Sequence, residues 1–306
     1  MKITVIGAGN VGSLAAMRIC ADGLGDVLLI DIVKGLAQGK ALDLEDARPL
    51  LKSNYSIKGS DDITQLKDSD IIVMTAGLAR KPGMTREELL TKNAQILKDL
   101  CLKIKSLAPD AIVIIVTNPL DIMTFYALKI TGFKPNKLFG MGISLDAARF
   151  INLISEELLL PVTDIEALVM GAHGEGMLPL PKFAKVKGVN LDEFINDEKI
   201  EGLIKRTINR GAQIVAHLGN GSAFFAPSAA IAAIVKTIVK DEKRTVGLCS
   251  YLSGQYGIKN TCIGVPCRLG INGVEQIIEL DLSPAELAQL NKSAKAVAEA
   301  VAQLIA

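Results

Sequence analysis

Short apolar runs and longer segments of helical periodicity alternate through the first half of the chain. Residues 3–6, 27–30, 71–75 and 112–117 are rich in β-branched side chains and apolar at successive positions, with no face left for water. Strands buried on both sides of a parallel sheet have this pattern. Between them, residues 11–20, 37–47 and 86–105 place apolar side chains at helical spacing. The alternation predicts a doubly wound, parallel α/β domain over residues 1–145. Beyond it the texture changes. Residues 146–160, 200–218 and 226–239 read as helices and 164–170 as a strand. Stretches 244–252 and 261–269 are strand-like, and Gly270-Ile271-Asn272-Gly273 turns into 274–280, as in an antiparallel meander. Ser283-Pro284-Ala285-Glu286 marks a helix start, with Pro at its first position and Glu three after the Ser. Residues 146–306 are therefore expected to form a second, α+β domain, packed on the first with a cleft between them.

Composition narrows the function. Of 306 residues, 49% are hydrophobic and 22% charged, enough to bury a sizeable core. Lys plus Arg (34) nearly balances Asp plus Glu (33), so there is no bulk attraction to nucleic acid or anionic membranes. Aromatic content of 4% without Trp argues against base-stacking platforms. Mean hydropathy is high at +0.34. Yet the longest apolar run, 226–239, is interrupted by Pro227, Ser228, Lys236 and Thr237 and is too short to span a bilayer. The chain opens directly on a strand-like run, so no signal peptide is expected. Five cysteines match no zinc spacing: Cys20, Cys101 and Cys249 lie in apolar stretches, and Cys262 and Cys267 have no second pair. Reduced, structural thiols in a cytoplasmic protein, and no metal, are expected.

Chemistry enters at Gly7-Ala8-Gly9-Asn10-Val11-Gly12, between the first strand and the first helix. The first glycine permits a tight turn, the second lets a pyrophosphate approach the backbone, and the third lets helix and strand pack closely. Free N–H groups at the helix start then face the phosphate. Alone, the pattern is weak and fits an ordinary βα turn. Here Asp31 ends the next strand-like run about 20 residues on, where a carboxylate accepts ribose hydroxyls and repels a 2′-phosphate. A Rossmann domain binding NAD, not NADP, is expected.

The chain has two histidines. His217 lies within a helical run and reads as a surface or core residue. His173 sits in Gly171-Ala172-His173-Gly174-Glu175-Gly176, a glycine-flanked turn after an apolar strand, where close ligand approach is possible. Arg80 and Arg86 occupy a Gly/Pro-bearing loop after the 71–75 run, on the side where ligands bind in this architecture. Asp146 and Arg149, three apart on one helix face, are by spacing alone a simple surface ion pair.

Taken together, these segments resemble the lactate/malate dehydrogenase family along essentially the whole chain. The resemblance rests on the glycine loop, the loop from Arg80 to Arg86, Thr117-Asn118-Pro119, Leu145-Asp146-Ala147-Ala148-Arg149-Phe150 and Gly171-Ala172-His173-Gly174, in the family's order. It is closest to the lactate-dehydrogenase-like malate enzymes, because Arg80 stands where lactate enzymes carry Gln; Gly221-Ser222-Ala223-Phe224-Phe225-Ala226-Pro227 also follows the malate pattern. The resemblance implies reversible oxidation of (S)-malate to oxaloacetate. His173 would be the acid–base and Asp146 would orient and charge it. Arg149 would grip the first carboxylate, Arg86 polarise the carbonyl and Arg80 bind the second carboxylate. Asn118 would contact substrate and nicotinamide, and Asn93, Val116 and Thr117 would touch NAD. Glu175 and Gly176 depart from the usual residues after the His-Gly pair, which leaves the pocket's shape open. A homo-oligomer, tetramer before dimer, in the cytoplasm and the tricarboxylic acid cycle is further implied.

The set suits the chemistry. Imidazole titrates near physiological pH, and Arg matches a carboxylate with two parallel N–H groups. A lactate or other 2-hydroxy-acid dehydrogenase is the nearest rival, but Arg80 would stand unpaired against pyruvate's methyl group. A non-catalytic NAD-sensing module would have no use for His173, Asp146 and three arginines together. An NAD-dependent glycosidase would be longer and carry metal ligands.

Overall fold

The β-branched runs of the first half become the strands of a parallel sheet. The computed structural model describes residues 1–78, 85–219 and 221–305, with the main chain alone of Arg86. Its first half is β1 (Lys2–Ile6), α1 (Asn10–Ala21), β2 (Asp26–Ile30), α2 (Leu36–Leu51), β3 (Ile57–Ser60), β4 (Ile71–Met74), α3 (Arg86–Leu107), β5 (Ile112–Ile115), α4 (Leu120–Thr131) and β6 (Leu138–Gly140). The strands pair in parallel in the order β3-β2-β1-β4-β5-β6, with every residue of β4 and β5 buried. That is the Rossmann-like arrangement. Order reverses beside β1, so the carboxyl ends of β1 and β4 open the crevice in which such sheets bind ligands.

Three elements of this half escape the periodicity reading. β6 has three residues and β3 carries Lys58 and Gly59, so neither shows an apolar run. α4 is buried at nine of its twelve positions, and a helix without a wet face gives no amphipathic signal.

The second half comprises α5 (Ile143–Leu158), β7 (Ile165–Gly171), β8 (Met177–Val186), β9 (Val189–Asn190), α6 (Asp197–Leu218), α7 (Phe225–Val239), β10 (Arg244–Ser253), β11 (Lys259–Gly270), β12 (Gly273–Ile277) and α8 (Pro284–Ile305). Here all pairing is antiparallel, and β10-β11-β12 form the expected meander. α8 starts as its sequence predicts: Ser283 N–H donates to Glu286 Oε2 at 2.7 Å and Glu286 N–H to Ser283 Oγ at 3.3 Å. β6 meets β10 through the single pair Gly140–Cys249, which carries the sheet from one half into the other.

The large core runs through both faces of the parallel sheet and on into α7, α8, β10 and β11, whereas a smaller one lies among α5, β7, β8 and α6. α5 joins the smaller core through Ile143, Phe150 and Ile154, and Asp146 lies in its first turn. All five cysteines are free and buried. Burial pushes the thiols of Cys20, Cys101 and Cys267 up to about 12. Among the described residues no helix is long and apolar enough to cross a membrane, and no His/Cys/Asp/Glu cluster is arranged to hold a metal.

Candidate active site

The glycine loop follows β1 as expected. Gly7 has φ of +104°, and a Cβ there would stand 2.7 Å from Thr75 Oγ1, so the turn excludes other residues. A Cβ on Gly12 would lie 1.9 Å from the Gly7 carbonyl oxygen; glycine lets α1 pack directly against the turn. Gly9 caps α1 without a side-chain hydrogen bond and with open space beside it. Gly9 and Asn10 are exposed and Val11 is half-buried. An uncapped helix start facing open space fits a dinucleotide's pyrophosphate.

Asp31, just beyond β2, shapes this loop. Its Oδ2 accepts the Ala8 N–H at 2.6 Å and its Oδ1 accepts the Val33 N–H at 2.9 Å. Each oxygen keeps a further lone pair for a ribose hydroxyl. Beyond it, Ile32 and Val33 are 95% and 56% exposed, an apolar ledge suited to a flat ring. Sequence reasoning missed Lys40 on α2. Its ammonium donates to Ala8 O at 2.6 Å and to Ser13 Oγ at 3.0 Å, so the loop is gripped from both sides. No local pattern marks this lysine, because its reach depends on how α2 docks.

The adjacent strand ends form the next wall. Val116 N–H continues the sheet to Met74 O, and buried Thr117 donates to Ala76 O at 2.6 Å. Asn93, on α3 and almost fully buried, has its amide largely committed. Its Oδ1 accepts the Leu78 N–H at 2.8 Å, and its Nδ2 donates to Leu78 O at 3.2 Å and Asn118 O at 2.8 Å. Asn93 thus ties the strand-end loops together, while the Asn118 side chain is exposed at the crevice.

In the second half, spacing alone left Asp146 and Arg149 as a surface pair; folding makes them part of a buried centre. Asp146 is fully buried. Its Oδ1 accepts from Arg149 Nη1 at 3.0 Å and its Oδ2 meets His173 Nδ1 at 2.7 Å. His173 reaches it from the turn between β7 and β8, closed by hydrogen bonds from Ala172 N–H to Gly176 O and from Met177 N–H to Gly174 O. Arg149 lies against α6 at Gly211, where a Cβ would sit 3.4 Å from Nη1. Burial opposes charging His173, but the Asp146 carboxylate and its hydrogen bond, helped by Asp121, outweigh it and hold the imidazole above its usual pKa. Arg149 pulls the other way. With Nδ1 engaged by Asp146, Nε2 is the ring nitrogen left to meet a ligand.

Arg80 and Met84 lie outside the described residues, as does the side chain of Arg86, whose main chain opens α3. His217, in the last turn of α6, is exposed. Glu175 is exposed at the turn after His173, and the Gly176 carbonyl also accepts from Ser293 Oγ on α8.

A dinucleotide loop and a buried His–Asp–Arg centre in one chain narrow the family, and comparison decides it. Residues 1–140 match the lactate/malate dehydrogenase NAD-binding domain, and residues 143–306 match the alpha/beta C-terminal domain of the same family. The chain belongs to the lactate/malate dehydrogenase family. A malate dehydrogenase from Methanosarcina mazei is 46% identical over 304 residues, 99% of each chain. The solved apo malate dehydrogenase of Picrophilus torridus superposes with a TM-score of 0.95 at 40% identity, over 99% of this chain and 97% of that one. Lactate dehydrogenase from Cryptosporidium parvum, solved with lactic acid and nicotinamide adenine dinucleotide, also gives 0.95, at 37% identity over 99% and 97%. The dehydrogenase fold is thus common to both activities. The acid is chosen by side chains.

Proposed function

We infer that this dehydrogenase is an NAD-dependent malate dehydrogenase, interconverting (S)-malate and oxaloacetate. The observation that carries the reading is the fully buried Asp146 holding both His173 and Arg149, an acid–base and a carboxylate anchor fixed side by side. Malate rather than lactate is favoured by Arg80 in the loop after β4 and by malate dehydrogenases at 45–48% identity over nearly the whole chain.

The glycine loop would hold NAD by its pyrophosphate and Asp31 by its ribose, and the bound cofactor would accept or donate the hydride. The protein supplies alignment and proton transfer. In malate oxidation His173 Nε2 accepts the hydroxyl proton, and Asp146 stabilises the imidazolium that forms. In oxaloacetate reduction the same nitrogen returns the proton, which is why a raised pKa serves that direction. Arg149, with Nη1 committed to Asp146, has its remaining N–H groups for the substrate's first carboxylate. Arg86 is assigned the carbonyl and Arg80 the second carboxylate, with Asn118 between substrate and nicotinamide. Closure of the loop at residues 78–84, expected from the sequence and outside the described residues from position 79 on, would exclude water.

We place the enzyme in the cytoplasm and in the tricarboxylic acid cycle, as a homotetramer. α2 exposes Leu42, Leu50 and Leu51 (61%, 86% and 53%) at separate points around its axis, apolar surface of which a second copy would cover part; sedimentation at low concentration tests the assembly. The test of substrate is kcat/KM with NADH for oxaloacetate and pyruvate, on the natural protein and on Arg80→Gln. Pyruvate offers Arg80 no second carboxylate, and mismatches that leave a polar partner unsatisfied discriminate by up to roughly 10⁴–10⁵. The natural protein should prefer oxaloacetate, and Arg80→Gln should lose most of that preference. An unchanged ratio would place specificity elsewhere.

A further inference from the structure

Asp121, in the first turn of α4, is 4% exposed and takes no part in the reaction as described above. Its Oδ2 accepts the main-chain N–H of His173 at 2.7 Å across 52 residues of sequence. Its Oδ1 is buried without a hydrogen-bond partner. A carboxylate this deep needs a reason, since burial of a poorly satisfied charge is costly. An acid in a helix's first turn gains from the helix dipole, but that gain is available at the surface without the cost of burial.

We propose that Asp121 is a second positioning carboxylate for the acid–base step, fixing the His173 main chain to α4 while its charge supports the imidazolium. Asp146 fixes one ring nitrogen, which leaves the ring free to swing with its turn; the Asp121 bond removes that freedom. The same helix begins beside Asn118, whose carbonyl is held by Asn93, which also holds Leu78. One run of hydrogen bonds and helix thus connects Leu78, beyond the end of β4, with the turn that carries His173. The groups that set the local charge can be named. His173 faces Asp146 and Arg149 on α5 and Asp121 on α4; Asp121 in turn faces the Cys249 thiol on β10, which is hydrogen-bonded to the free Cys262 thiol on β11. Burial raises the Asp121 pKa, while Cys249 and His173 pull it back towards the charged form and Asp146 adds to the rise.

The inference rests on His173 as the acid–base of the proposed reaction, so its test includes a readout that needs no turnover. With two histidines in the chain, imidazole resonances separate cleanly, and His217→Gln assigns them. Asp121→Asn keeps an oxygen for the His173 N–H and removes the charge. His173 should then titrate at lower pH than in the natural protein, and oxaloacetate reduction should begin to fail at correspondingly lower pH, with NADH affinity unchanged. Asp121→Ala removes the acceptor too, and kcat should fall by up to about 10²-fold, the cost of roughly 1 Å of misplacement, with partial rescue in the Asn variant. An unchanged His173 titration in Asp121→Asn, or natural kcat in Asp121→Ala, overturns the proposal. A lowered His173 pKa in a protein that turns over neither oxaloacetate nor malate would uphold Asp121 and refute the proposed function instead. Should both variants fail to fold, hydrogen exchange on the natural protein decides: a protected His173 amide supports the proposal and exchange at the rate of an open turn overturns it.

Discussion

The glycine loop after β1 and the turn after β7 both follow apolar strands, yet they are built in opposite ways. The first is a site made of backbone, with an uncapped helix start at Gly9, a turn closed by Gly7 and an approach permitted by Gly12. Its polar side chains, Asp31 and Lys40, act on that backbone through Ala8. The second is a site made of side chains, with Asp146, Arg149 and His173 from two elements converging on one buried carboxylate. Backbone sites tolerate water because a bound phosphate completes them. The carboxylate centre works because burial strengthens its charges. The difference teaches that binding and chemistry here are separable, and substitutions should separate them.

The largest expected effect is on the chemical side alone. His173→Asn should lower kcat by about 10²–10⁴, the usual contribution of general acid–base catalysis, while NADH binding measured by fluorescence stays near its natural value. A fall in NADH affinity of similar size would erase the distinction between the two sites. Next comes the reverse experiment. Asp31→Ser removes a charged acceptor for the Ala8 N–H and the ribose; such bonds contribute about 1.5–3 kcal/mol, so NADH affinity should weaken by roughly 10–150-fold. Discrimination against NADPH should relax, because no carboxylate then meets the 2′-phosphate. Equal preference for both cofactors in the natural protein would remove Asp31 from that role. The smallest effect tests the frame around both sites. Thr85 and Glu88 cap α3 reciprocally, with Glu88 N–H donating to Thr85 Oγ1 at 3.1 Å and Thr85 N–H to Glu88 Oε2 at 2.9 Å. Thr85→Ala should cost about 1 kcal/mol of stability in denaturant unfolding and leave kcat nearly unchanged.

What the sequence determined by itself is local and periodic. Apolar runs buried on both faces defined the strands of the parallel sheet, because successive apolar residues leave a strand no wet side. The glycine spacing defined the tight turn from β1 into α1, because such a backbone feature depends on which residues lack a Cβ and so is written at consecutive positions. Ser283 to Glu286 likewise announced α8. Tertiary structure alone decided what depends on docking. α4 had no wet face to show, and β6 was too short for a pattern. Asp146 and Arg149 could not be told from a surface pair until α5, α6 and the β7–β8 turn closed over them. Asn93 was expected at the cofactor, and only the fold shows that its amide also binds together the segments at Leu78 and Asn118 that line the crevice. Lys40 and Asp121 gave no sequence signal, since a lone charge reveals its partner only when a distant carbonyl or amide arrives within 3 Å. Periodicity reports which face of an element is buried. It does not report what a buried charge will meet.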